Sequence, residues 1–314
     1  MTIGVVTDST ADLPAEAVKE LDIHIVPAYI IFGSRTYRDG VDISQDELYH
    51  RMVDLEQTAT TSQPPPSDFA DLFKRLLKDH ERIISIQVTS RLSGIFASAL
   101  QARNSLEAGS RITVIDSETV SMALGLLTQL AARLARAGEN AERIVEEVRR
   151  NISRTHIWAA FDTLKYLQRG GRIGRAKALL GSVLSIKPLL TIRQGEIHPL
   201  GIARTRSKAI DRLVELCASF SGIEDMAVVH STTPHDAGAL REKLNGLCPP
   251  CPISISRLGP ALGVHGGPGT LVVALREKAA DIATRLKSDA TDRKTFNLPA
   301  LPEIKFPRLR FGDI

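Results

Sequence analysis

The chain has only three cysteines in 314 residues, Cys217, Cys248 and Cys251, which is no disulfide framework of the kind that holds small secreted proteins together. Aromatic residues make up 4% of it and the net charge is +4, so there are few rings to stack on bases and little field to hold a phosphate backbone. Nucleic acid is therefore not an expected partner. No apolar run approaches the ~18 residues of a membrane span. Met1 to Ser9 has neither the cationic start nor the apolar stretch of a signal peptide, so a cytoplasmic location is expected. Two catalytic signatures are also missing. No Gly-x-x-x-x-Gly-Lys-Ser/Thr loop occurs, and Ser93 lacks the Gly-x-Ser-x-Gly frame of a nucleophile elbow.

What is present is an ordinary globular balance, 43% hydrophobic and 24% charged, at a length that suits two domains. Strand and helix patterns alternate from Ile3 to about Arg150. Ile3 to Thr7 is apolar and β-branched, Asp12 is placed to cap and Pro14 to open a helix, Ile23 to Phe32 forms a second apolar run, and Ser44 with Glu47 makes a capping box. A polar, proline-laden loop is expected over Thr60 to Pro66, then a helix from Ser67, a strand over Arg82 to Val88, and another over Arg111 to Ile115. Such alternation predicts a Rossmann-like parallel sheet whose ligand crevice lies at the carboxyl ends of its strands, where Asp8 to Asp12, Thr89 to Gly94 and Asp116 to Thr119 fall.

From about Ile157 the pattern changes to hairpin signals, with Arg193-Gln194-Gly195-Glu196 between two apolar runs. The expected fold is α/β in two domains, a Rossmann-like parallel-sheet domain over 1–155 and a mixed-sheet α/β domain over 156–286, followed by a tail over 287–314. No internal repeat is evident.

Three segments offer chemistry. Ser93-Gly94 opens a helix, where free amides and the positive end of the helix dipole welcome an anion, although capping its own helix would occupy Ser93 as well. Thr60-Thr61-Ser62-Gln63 is a hydroxyl cluster that, taken alone, reads as a polar linker before it reads as a site. Gly263 to Gly269 is a glycine-rich turn presenting His265.

Together with Thr7-Asp8-Ser9-Thr10-Ala11-Asp12-Leu13-Pro14, Thr61-Ser62-Gln63-Pro64, Leu92-Ser93-Gly94 with Ser98-Ala99, Asp116-Ser117, Arg169-Gly170-Gly171-Arg172, Ile186-Lys187-Pro188, and His265 with Gly267-Pro268-Gly269, the chain resembles the DegV family of fatty-acid-binding proteins from Val5 to about Leu275. The resemblance implies a long-chain fatty acid buried at the junction of the two domains. Its carboxylate would be held by Thr61 and Ser93 with His265 close by, and Ser62 and Gly94 beside them. It also implies a lipid-binding protein rather than an enzyme, with no catalytic residue, no cofactor other than the bound fatty acid and no metal ligands. A fatty acid kinase would be its partner and transient membrane contact an option, with Arg169 and Arg172 as docking cations.

Physical chemistry is compatible with that implication. A carboxylate withdrawn from water needs charge-assisted donors or it protonates. The roughly fifteen buried carbons of a sixteen-carbon acid, at ~0.8 kcal/mol each, supply a gross ~12 kcal/mol before association costs. Ala159, Phe161, Leu164, Leu179, Leu180, Val183, Leu184, Ile186 and Leu189 are candidates for the slot, each equally suited to ordinary core.

The chain departs from the family pattern at Ile95-Phe96, where members often carry Thr-Tyr, which removes one hydroxyl near the head group. Cys248-Pro249-Pro250-Cys251 is read as a tight turn, because the pair opens no helix and cannot complete a four-cysteine zinc site with Cys217. The rival class is a stand-alone enzyme, a small-molecule phosphotransferase or a serine hydrolase, with Asp8, Asp116 and Asp162 as magnesium ligands; loop-ordering hydrogen bonds are the other use of those carboxylates. A lipid-sensing regulatory protein is a third reading.

Overall fold

The computed structural model describes residues 2–180, 186–220, 222–246 and 253–278. In chain order it contains β1 (Ile3–Asp8), α1 (Ala15–Glu20), β2 (Ile23–Val26), β3 (Tyr29–Phe32), β4 (Arg35–Arg38), α2 (Gln45–Tyr49), β5 (Ala59–Ser62), α3 (Pro66–Leu76), β6 (Arg82–Gln87), α4 (Ile95–Asn104), β7 (Ile112–Asp116), α5 (Ser121–Arg136) and α6 (Ala141–Ile152). There follow β8 (Thr155–Ala160), α7 (Lys165–Arg169), β9 (Lys187–Arg193), β10 (Glu196–Ala203), α8 (Arg206–Ala218), β11 (Ile223–His230), α9 (Pro234–Asn245), β12 (Ile253–Arg257), α10 (Pro260–Gly266) and β13 (Leu271–Glu277).

Near-continuous apolar strands with helices between them give a parallel sheet, in the order β2-β1-β6-β7. The chain leaves β1 toward β2 on one side and continues through β6 and β7 on the other. Diverging loops therefore open a crevice outside the carboxyl ends of β1 and β6, where this topology places ligands. A mixed six-stranded sheet, β10-β9-β8-β13-β11-β12, forms the second layer of the architecture, so the expected two-domain α/β fold holds. Its first strand starts at Thr155. The expected limits at 286 and 287, and the Cys248-Cys251 pair, lie outside the described residues.

Helix α5 is buried on nearly every face from Ser121 to Ala132. Leu124 and Ala131 pack with the first core, while Met122, Ala123 and Leu126 pack against Ile157, Ala227, Val229 and Val272 of the mixed sheet. An all-round apolar helix is what a shared wall between two sheets requires.

Several local expectations need correction. The apolar run Ile23 to Phe32 is two strands, broken at Pro27-Ala28: β2 joins the parallel sheet, while β3 heads a separate antiparallel sheet in the order β4-β3-β5. Thr60 to Ser62 is not loop but part of β5, with Thr61 paired opposite Ile30. Asp12 does not open α1, whose N-cap is Pro14, but ends the short 3-10 turn Ser9–Ala11. It sits in the left-handed region at φ 51°, with its carboxylate turned inward. The Gly263 to Gly269 segment is helix α10 as far as Gly266, which puts His265 on a helical last turn. The hairpin between β9 and β10 forms as expected, Gln194 and Gly195 both adopting positive φ, at 50° and 80°, in the turn. At Ser44 the hydroxyl caps α2 by accepting from Glu47 N–H at 3.2 Å, but the Glu47 carboxylate accepts from Arg51 rather than closing the capping box.

Candidate functional site

A cavity of about 150 Å³ lies at the carboxyl ends of β1 and β6. Its lining comes from both layers: Thr10, Val88, Leu92 and Ser93 follow the parallel strands, while Ile157, Ala159, Leu190, Ile192 and Val272 come from the mixed sheet. Strand periodicity explains the selection. On β8 the side chains of Ile157 and Ala159 face the cavity, whereas Trp158 and Ala160 point into the other core.

The polar groups are sparse. Strand β5 carries Thr61 and Ser62 to the wall, and α10 brings His265 against them, so that Thr61 Oγ1 and His265 Nε2 lie 2.8 Å apart in a hydrogen bond. Burial, with a smaller push from the Arg172 guanidinium, lowers the His265 pKa to about 4. The ring is therefore neutral at physiological pH and acts as a hydrogen-bonding group, not a cation. Its Nδ1 is buried with no hydrogen-bond partner. If Nε2 carries the proton and donates to Thr61, the threonine hydroxyl keeps its own proton for an anion in the cavity.

Ser93 also lines the cavity, its Oγ accepting weakly from Ile95 N–H at 3.3 Å at the start of α4. Thr61, Ser93 and His265, widely separated in sequence, thus share one wall system. Ser62 reaches the wall too, but its hydroxyl donates to the Gln63 carbonyl at 3.2 Å. Gly94 does not line the cavity. It is the N-cap of α4 and lies under the Gln63 carboxamide, which a Cβ there would meet at 3.0 Å.

Arg172 departs from its expected place on an outer docking face. It lines the cavity, Nε donating to Leu92 O at 3.2 Å and Nη1 to Gly170 O at 2.7 Å. Arg169 remains exposed. With His265 neutral, Arg172 is the cation among the described lining residues. Composition gave no sign of this; the residue was legible only as one of several basic side chains around the Gly170-Gly171 pair.

Of the expected slot residues, Ala159 and Phe161 line the cavity. Leu164, Leu179 and Leu180 belong to the hydrophobic cluster behind Phe161, and Leu189 faces the core on the opposite side of β9. Ile186 is half-buried outside the lining, and Val183 and Leu184 lie outside the described residues. Of the residues missed, Ile157, Leu190, Ile192 and Ile197 follow from strand register, Leu262 from α10, and Leu92 and Leu258 from the loops before α4 and α10, rather than from local sequence.

The three carboxylates considered as magnesium ligands are otherwise engaged. Asp8 is fully buried and accepts from Thr10 and from Val88 N–H, Asp116 accepts from the Ser90 and Glu118 amides, and Asp162 pairs with Lys187 at 2.8 Å. They order loops, the first two around the crevice.

A second polar system holds the helix that carries His265. Asp12 accepts from Gly259 N–H at 2.7 Å and from Ser121 Oγ at 2.5 Å, and Asp39 accepts from Ser9 Oγ at 2.7 Å and Ala261 N–H at 3.3 Å. Burial, outweighing these hydrogen bonds, raises Asp12 to about 8 and Asp39 to about 7. No described helix is long and apolar enough to cross a membrane.

Residues 2–278 match the model of the DegV family. A DegV domain-containing protein of Streptomyces coelicolor is 37% identical over 280 residues, covering 88% of this chain and 99% of that one. Two solved structures superpose over 88% of this chain and 100% of theirs: a DegV family protein from Thermus thermophilus described for its fatty acid binding (32% identity, TM-score 0.82), and DegV of Bacillus subtilis, described as a fatty acid binding protein (34%, TM-score 0.80). The chain belongs to the DegV family.

Proposed function

We propose that this protein binds one long-chain fatty acid in the cavity between its parallel and mixed sheets and presents the carboxylate to a partner kinase for acyl-phosphate formation. The observation that carries the reading is a mostly apolar cavity whose wall carries Thr61, Ser93, neutral His265 and Arg172, hydrogen-bonding groups that suit an anionic head group. The fatty acid binding described for the two solved relatives supports it. In this reading the acyl chain lies along Ile157, Ala159, Leu190 and Ile192, and the protein is a carrier rather than a catalyst. Its place is the cytoplasm, where a nucleotide-dependent kinase finds its substrate.

Native mass spectrometry after mild purification tests the binding. One adduct with the mass of a long-chain fatty acid is expected, and Thr61→Val with Ser93→Ala should weaken binding by roughly ten-fold or more, the equivalent of one or two charge-assisted hydrogen bonds. A protein that takes up no fatty acid, and instead hydrolyses an ester or consumes nucleotide unaided, overturns the reading in favour of an enzyme.

The kinase step has its own test. Exposed Arg169 is the docking cation in this proposal, with transient membrane contact as its other use; Arg172, being in the lining, cannot separate docking from binding. In a reconstitution with a fatty acid kinase, Arg169→Glu should slow acyl-phosphate formation while fatty acid affinity stays unchanged. Equal loss of both refutes the docking role.

A further inference from the structure

At the opposite end of the parallel sheet from the cavity, three side chains with metal-ligating atoms converge. Asp22 ends the turn after α1 in the left-handed region at φ 52°, His24 is the second residue of β2, and His80 sits in the turn between α3 and β6. One ring nitrogen of each histidine and a carboxylate oxygen of Asp22 all lie within 4.8 Å of one another. His24 Nε2 is 3.9 Å from Asp22 Oδ1, beyond hydrogen-bond reach. His24 Nε2 and His80 Nδ1 are both buried atoms without a hydrogen-bond partner. Buried polar atoms are normally paired, so two such nitrogens beside one carboxylate form a donor set suited to a cation.

The backbone favours this convergence. Strand β1 lies between β2 and β6, and His80 crosses it over Gly4, where a Cβ would meet the imidazole at 3.1 Å. The rings of His24 and His80 meet edge to face with centroids 6.1 Å apart. A side chain at position 4 would crowd the ring that reaches toward the edge strand.

We propose that Asp22, His24 and His80 bind one divalent late transition metal ion of the zinc class, with water completing the coordination. Imidazole and carboxylate together suit zinc, whereas calcium and magnesium prefer oxygen alone. Three protein ligands leave a fourth position of a tetrahedral ion open, and Asp22, with a side chain 76% exposed, is on the solvent side. Ligand bonds of ~2.0–2.2 Å let one ion touch both His24 and Asp22 across the present 3.9 Å. The exposed guanidinium of Arg75 is the nearby opposing charge. The ion would fasten the α3–β6 turn to edge strand β2, away from the lipid.

Calorimetric titration of the chelator-treated full chain with Zn²⁺ tests this. One tight equivalent and a raised melting temperature are expected, lost in His24→Gln with His80→Gln and weakened roughly ten-fold or more in Asp22→Asn. His50→Gln, which removes the separate exposed His50–Asp54 pair, should leave the equivalent intact. Because His80 packs on Gly4 and its loss can disturb the sheet, the visible spectrum of bound Co²⁺ in the wild type and in Asp22→Asn gives a second reading. Oleate affinity should be the same in all variants. Absence of a stoichiometric Zn²⁺ site, or one unchanged without both histidines, overturns the proposal.

Discussion

His265 illustrates how one side chain depends on the absence of another. A Cβ on Gly170 would stand 2.2 Å from His265 Nδ1 and 2.8 Å from its Cε1, so the imidazole fits only because position 170 has no side chain. The Gly170 backbone, at φ −75°, is one that alanine adopts freely. Gly170→Ala therefore tests contact alone. The ring must move, and the 2.8 Å bond to Thr61 is the interaction it gives up. Fatty acid affinity is expected to fall by roughly ten-fold, the value of about 1.4 kcal/mol, while the far-ultraviolet circular dichroism spectrum stays unchanged. Wild-type affinity in this variant, measured by calorimetry, would show that the His265–Thr61 pair does not hold the head group.

At the scale of elements, strand and helix order was legible because apolar period and capping chemistry are local properties. The strands β6 and β7 followed from them to within a residue at each end, as did the β9–β10 hairpin, whose turn needs two positive φ angles. What was not legible depended on pairing partners. Thr61 reads as loop in sequence because the three prolines after it discourage helix, yet β3 recruits the segment as an edge strand and thereby aims the hydroxyl at the cavity. Leu189 and Leu190 are indistinguishable by composition, and only the register of β9 against β8 sends the second to the cavity and the first to the core. Thr61, Ser93 and His265, which the resemblance names together, line one cavity, but Arg172 lines it too, and no signal in the sequence marks Asp22, His24 and His80 as neighbours. That set joins residues more than fifty positions apart through a gap over Gly4, a relation that no short spacing motif expresses.

At the scale of the whole molecule, the two layers meet through buried acids as well as through α5. Asp12 lies in the loop after β1 and bonds α5 through Ser121 and the start of α10 through Gly259, while Ser256 donates to its backbone carbonyl. Burial raises Asp12 to about 8, with Asp39 and Asp8 adding smaller like-charge repulsion. A carboxyl whose folded-state pKa lies above its ordinary 3.8 holds its proton more tightly in the folded protein. Its contribution to stability is complete below that ordinary value and is lost as pH rises through about 8. His265, lowered to about 4, acts in the other direction, since its contribution is complete above 6.5 and is lost as pH falls through 4. Stability measured by urea unfolding should thus decline from about pH 7 to pH 9, where Asp12 and Asp39 ionise and His265 is silent. Asp12→Asn separates the two acids from one another. Asparagine can still accept from Gly259 and can donate to Ser121, but it does not titrate, so the decline should become shallower and the variant should gain on the wild type as pH rises. Parallel curves for the two proteins would mean that Asp12 is ionised in the folded state throughout this range, and that the junction between the layers carries a buried charge rather than a protonated acid.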